Sequence, residues 1–251
     1  MTLQELQNKI QNAKPLDFGT IFNQSIELFK KVWVQGFIIL LLTMLIAVPF
    51  FLVIYIPLIV FGSIDSMEPN VFSDMEPFAA VLFAILYLVV ITAVNTIAFG
   101  FKAAFYRICK HKDLDIMAKE DYFYFFKGPY LLKTIKLALA AMGIAIIAML
   151  LCVLPIIYVS VPIYLMVVIY AFNPELSVSD IVKASFDLGN KKWLITFGLA
   201  IVTSFLAGIV GMLMCFVGIY ITASFGYLCH YFIYKDVIGF DDENYALPIE
   251  N

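Results

Sequence analysis

Thiol and imidazole side chains close together can hold zinc. Two such pairs occur in the chain, Cys109 with His111 and Cys229 with His230. Structural zinc needs four convergent ligands, and residues one or two apart on a helix face different ways. Neither pair therefore makes half a site, and no metal is expected. Cys152 and Cys215 complete a set of four cysteines with no CxxC spacing, which reads as small buried hydrophobes and not as a disulfide framework. Asn95 sits inside an apolar run. Its amide could coordinate a solute in a pathway, or bond a neighbouring backbone carbonyl as interhelical glue. An intramembrane charge is the usual mark of an ion or substrate pathway. The apolar runs carry none, so the second role is expected. Ser25 and Ser185 could line a polar groove, but small residues on apolar helix faces chiefly permit close packing. No phosphate loop, HExxH, GxSxG or nucleic-acid motif is present. No catalytic residue, cofactor or nucleic-acid partner is expected.

These residues sit in a chain that is 63% hydrophobic and 14% charged. A soluble domain is about 45–50% apolar and about 25% charged, so the solvent for most of this chain is lipid. No cleavable signal peptide is visible: residues 1–14 are mostly polar, and the first apolar run starts near residue 37.

Two segments share one pattern. Residues 17–40 shifted by 160 fall on 177–200, so that Ile21 meets Ile181, Ser25 meets Ser185, Leu28 meets Leu188, Lys31 meets Lys191 and Trp33 meets Trp193. Glu27 meets Asp187, and the two tryptophans are the only ones in the chain. In the first segment Phe18, Ile21, Phe22, Ser25, Leu28, Phe29 and Val32 follow helical spacing, opposite a polar face. That pattern suits a helix lying in the headgroup plane. Lys30, Lys31, Trp33, Lys191, Lys192 and Trp193 then read as interface anchors drawn to anionic headgroups. Glu27 with Lys31 and Asp187 with Lys191 have the spacing of helix-stabilising pairs. Asp17 can cap the first of these helices.

Apolar spans are expected near 37–60, with a kink at Pro49, and from 78 to 101. The thirty-six uncharged residues from Leu137 to Phe172 would make a straight helix of about 54 Å, too long for a hydrocarbon core of about 30 Å. A tight hairpin near Pro155 resolves this. Residues 193–234 likewise allow two spans, turning between Gly211 and Gly218. All sixteen Lys and Arg residues fall in the N-terminal segment, in 102–136, in 183–192 or at Lys235. Six spans put every one of them on one side, as the positive-inside rule requires. The expected fold is all-α: a polytopic membrane protein of six transmembrane helices as three hairpins, with amphipathic interfacial helices before hairpins. It forms one membrane domain over residues 1–251, with repeat-like units 17–113, 119–173 and 177–236, an acidic tail 237–251 expected to be loosely ordered, and both termini cytoplasmic.

Within the second segment, Pro174-Glu175-Leu176-Ser177, Asp180-Ile181, Ala184-Ser185, Leu188 and Lys192-Trp193 form a short signature. It resembles a broad family of bacterial six-helix inner-membrane proteins that includes the membrane domain of some glycerophosphodiester phosphodiesterases. The resemblance implies the bacterial inner membrane and transfers no catalytic residue. In those enzymes the hydrolase is a separate soluble domain.

Two functions follow as expectations. The first is a non-enzymatic scaffold or accessory subunit, in a membrane complex or in envelope and lipid homeostasis, with membrane lipids and other membrane proteins as partners. The alternative is a small transporter or lipid-handling protein with a site between the repeats, near Asn95.

Overall fold

The computed structural model describes residues 1–67, 77–151, 153–214 and 217–240. Among them there is no strand. The helices are α1 (Leu3–Gln11), α2 (Phe18–Met67), α3 (Pro77–Asp113), α4 (Gly128–Leu150), α5 (Val153–Phe172), α6 (Val178–Leu213), α7 (Val217–Thr222) and α8 (Phe225–Val237), with a 3-10 turn at Tyr124–Phe126. α2 to α6 are long and apolar enough to cross a membrane.

Buried residues concentrate at one end of the bundle. They come from the first half of α2 (Ile21, Leu28, Val32), the last part of α3 (Phe101, Phe105, Cys109), the end of α5, the start of α6 (Ile181, Leu188) and α8. Leu165 to Ala171 of α5 are buried on every side. A helix that is apolar all round belongs at a centre, and here α5 is that centre. α6 runs antiparallel to it: Trp193 Nε1 donates to Tyr158 O at 3.1 Å, and a Cβ on Gly189 would lie 2.9 Å from Pro162 Cγ. α3 and α8 meet through long side chains, Tyr231 and Lys235 both donating to Asp113, at 2.7 and 2.6 Å.

The other end is built differently. Leu45, Leu150 and Leu213 are 71%, 81% and 79% exposed, and large exposed apolar residues line α2 from Leu41 to Ile59, α3 from Val81 to Val89, and the ends of α4 and α6. A soluble protein rarely exposes more than a few hundred Å² of contiguous apolar surface. This belt makes sense only in lipid, and the chain is a multi-pass membrane protein in architecture.

Three expectations need correction. First, the amphipathic segment of α2 is not a separate helix before the hairpin: Phe18 to Met67 is unbroken and carries Pro49 and Pro57 inside it. Its apolar face is covered by protein, since Phe22 and Phe29 meet Phe225 edge-on at 6.1 and 5.4 Å, and packing continues the helix in line. Only α6 bends at the corresponding place, with Lys192 at φ -123, ψ 23. Second, the sixth span is split into α7, of 6 residues, and α8, of 13. At about 1.5 Å per residue neither alone crosses the hydrocarbon; among the described residues five helices, α2 to α6, meet the span criterion. The chain turns at Ala223–Ser224, where Ser224 packs on α2 so tightly that a Cβ at Gly36 would lie 2.2 Å from its Oγ. Third, the acidic tail does not start at 237: Val237 and Ile238 are buried, and Phe240 packs on Phe172 at 4.9 Å. Residues 241–251 lie outside the described residues. Within the mostly polar N-terminal stretch α1 is a capped, packed helix. Thr2 and Glu5 form a capping box, and Leu6 and Ile10 are buried in the core.

The interhelical breaks fall where expected. α4 ends at Leu150 and α5 begins at Val153, with Pro155 in its first turn, where a missing N–H costs nothing. α6 ends at Leu213 and α7 begins at Val217. α2 runs on to Met67, past the expected end of the first span near 60; residues 68–76 lie outside the described residues.

Candidate functional site

The six expected interface residues are not equivalent in pairs. Lys30 pairs with Glu27 at 2.6 Å, one turn position earlier than the spacing to Lys31 suggested. Lys31 reaches Asp115 at 3.2 Å and the Lys112 carbonyl at 3.4 Å. In the second segment Asp187 accepts from Gln7 Nε2 at 2.7 Å, because α1 packs there. Lys192 donates to the carbonyls of Lys14 at 2.6 Å and Ala13 at 3.5 Å. Lys191 lines a shallow hollow with Gln7 and Asn190. Trp33 is exposed. Trp193 is half-buried, hydrogen-bonded to Tyr158 and stacked on Phe197 at 4.7 Å. Ser25 and Ser185 are fully buried and donate to their own helices, at 2.8 Å to Ile21 O and 2.6 Å to Val182 O, the packing role expected of them.

The loop after α3 is tied down by Glu120. It accepts from Gln35 Nε2 at 2.9 Å, Tyr122 OH at 2.7 Å and Lys112 Nζ at 2.9 Å. Burial pushes its carboxyl up, but hydrogen bonds from Lys112, Tyr122 and Gln35 outweigh this and hold it below the usual carboxylate range. Burial and the adjacent Glu120 push the Tyr122 hydroxyl well up.

This ordered loop forms one wall of a cleft of about 560 Å³ at the buried end of the bundle. Arg107, Lys110 and Lys119 line it against Asp121 and Glu175, with aromatic walls from Tyr124, Phe172 and Phe240. The Arg107 guanidinium lies 3.6 Å from the Tyr124 ring centre and the Lys110 ammonium 4.2 Å from that of Phe240, both within cation–π range. Asp121 is paired with Lys127. The cleft therefore presents a net positive, aromatic surface. Sequence reading assigned Arg107 and Lys110 to topology alone. That the start of the expected 119–173 unit folds against α3 was not legible in those residues.

Asn95 is exposed and donates to Ile91 O at 2.9 Å. Thr96 likewise donates to Thr92 O at 2.8 Å. Asn95 borders an apolar groove of about 300 Å³ between α3, α4 and α5. The structure does not bring it together with the lysine–tryptophan anchors. Cys229 and His230 are in contact, Sγ to Nδ1 at 3.6 Å, and among the described residues no three His, Cys, Asp or Glu side chains are grouped as a metal site.

Comparison with known proteins leaves the geometry to speak alone: no family model, no curated protein and no solved structure matches the chain.

Proposed function

We propose that this chain is a non-enzymatic accessory or scaffold subunit of the bacterial inner membrane, working through its densely packed polar end. The apolar belt holds it in the bilayer. The lysine distribution argues for both termini, and the cleft, on the cytoplasmic side. The observation that carries the reading is the cleft itself, where Arg107 and Lys119 stand beside Tyr124 and Phe172. Arg and aromatic side chains are the groups most enriched at protein interfaces, and a net positive cleft suits an acidic segment of a partner protein. The bacterial location rests on the resemblance of the 174–193 signature, and the six-helix architecture of that family remains part of the proposal.

The test is cross-linking in cells followed by purification in mild detergent. Arg107→Glu with Lys119→Glu should remove the cross-linked partner while the protein still inserts and purifies as a monodisperse species. Lys183→Glu, outside the cleft, should keep it. Retention of the same partner by the cleft variant overturns the proposal. The alternative, a lipid-handling protein, is favoured by one separate observation: the groove beside Asn95 lies among the lipid-exposed residues Ile146 and Met149.

A further inference from the structure

Within the apolar belt, two hollows meet. The first, about 300 Å³, runs between α3, α4 and α5 and is lined by Ala141, Ala145 and Met149, with Asn95 and Lys102 as its polar groups. The second, also about 300 Å³, lies between α5, α6 and α8 and is lined by Ser204, Gly208, Tyr227 and His230. Tyr164 lines both. Its ring is 5.0 Å from that of His230, and Lys102 Nζ is 5.0 Å from the Tyr227 ring. The two hollows thus share one polar corner, made by Lys102, Tyr164, Tyr227 and His230.

That corner is chemically incomplete. His230 is 2% exposed, and its Nε2 has no hydrogen-bond partner among the described residues. Its other nitrogen faces Cys229 Sγ. Buried polar groups in native proteins are nearly always satisfied, and an orphan asks for an explanation. Lys102 has no carboxylate within ion-pair distance among the described residues; its close contact is the Tyr227 ring. A cation and an imidazole with a free nitrogen, at the polar end of an apolar groove, match an amphiphile with an anionic head. Small alanine side chains on α4 leave the width for its chain. Met149, at the far end of the groove, is 71% exposed, so such a molecule could enter sideways from the bilayer.

We infer that the hollows at Lys102, Tyr164 and His230 form a binding site for a membrane lipid with an anionic phosphate headgroup. The phosphate sits on Lys102, His230 Nε2 accepts from a hydroxyl of the headgroup, and one acyl chain lies along Ala141, Ala145 and Met149. Charge-assisted bonds to phosphate fix the head, and burial of the chain against α4 supplies the apolar part.

The test uses the full chain in mild detergent, titrated with a fluorescent phosphatidylglycerol and, separately, with the phosphatidylcholine of the same chains. The account expects the anionic lipid to bind more tightly. Lys102→Gln should weaken it about tenfold, the loss expected for one charged hydrogen bond, and His230→Phe less. Ala145→Phe fills the groove from its lipid side without touching the core and should weaken binding as much, at an unchanged melting temperature. Lys136→Gln, a basic residue outside the hollows, should leave binding as it was. Inorganic phosphate and glycerol phosphate should fail to displace the lipid, because they lack the chain. Equal affinity for the two lipids overturns the inference. So does an equal loss in Lys102→Gln and Lys136→Gln, displacement by inorganic phosphate alone, or an Ala145→Phe variant that folds and binds normally; the last two would leave the corner a site for water or a free ion.

Discussion

Residues 17–40 and 177–200 have nearly the same pattern and different surroundings. Ile21 and Ile181, Ser25 and Ser185, and Leu28 and Leu188 are all buried. Each segment starts on a side-chain cap, since Thr20 N donates to Asp17 Oδ1 at 2.7 Å and Asp180 N to Ser177 Oγ at 3.1 Å. Beyond the shared apolar stripe they diverge. The first packs on α8 and runs unbroken into its span. The second packs on α1 and on α5, and bends at Lys192. Periodicity sets which face of a helix is apolar. What covers that face decides whether the helix continues straight, and the covering elements lie far away in sequence.

The largest expected effect separates the segments at Gly36, whose counterpart is Thr196. Gly36 lies under Ser224 with no room for a side chain, whereas Thr196 is buried and donates to Lys192 O at 2.7 Å. Gly36→Val should destabilise by about 3 kcal/mol through overpacking, and Thr196→Val by about 1 kcal/mol, the worth of one buried hydrogen bond. Thermal unfolding in detergent measures both. Equal losses would mean that the α2–α8 contact is not as tight as described.

Next come the tryptophans. Trp193→Ala removes a hydrogen bond and a ring stack and should cost about 2 kcal/mol, below the range of about 3–5 kcal/mol for a fully buried ring. Trp33→Ala should cost less than half of that. As matched interface anchors they would lose equally. The same unfolding assay distinguishes the two outcomes.

The caps differ in their response to acid. Ser177→Ala should cost about 1 kcal/mol near neutral pH, where its hydroxyl also donates to Asp180 Oδ2 at 2.7 Å. At Asp17, hydrogen bonds from the Thr20 hydroxyl and amide lower the carboxyl pKa. Its contribution is therefore complete above the ordinary carboxylate value of about 3.9 and fades as pH falls through the lowered one. Amide exchange, corrected for its intrinsic pH dependence, should show residues 18–22 losing more protection in acid than 178–182, where a hydroxyl and not a carboxylate accepts from the backbone. The smallest effect is shared: Ser25→Ala and Ser185→Ala should each change stability by less than about 1 kcal/mol, since each hydroxyl bonds only its own helix.

The residues that were legible from sequence are those whose neighbours are local. The apolar belt, the breaks near Pro155 and between Gly211 and Gly218, and the Asp17 cap follow from composition, span length and turn chemistry. The α7–α8 split was not legible, because no proline or charge marks Ala223–Ser224, and the turn is packed against Gly36, far away in the chain. The polar corner was missed for a related reason. Lys102 read as a topological charge and His230 as a failed metal ligand, and only the packing of α3, α5 and α8 around Tyr164 brings them together.

The central claim is that a protein-packed polar end passes in line, along α2, into a lipid-exposed belt. Spin labels placed one at a time in a cysteine-free background at Thr20, Asn23, Glu27 and Lys30, then at Leu41, Leu45, Val48 and Leu52, test it directly. All eight positions are exposed. Relative accessibility to dissolved oxygen and to a water-soluble nickel complex reports the depth of each label. The account predicts high nickel accessibility at the first four, increasing stepwise away from the bilayer toward Thr20, and high oxygen accessibility at the last four. Equal depth from Thr20 to Lys30 would mean that this segment lies in the membrane plane, and would contradict the account.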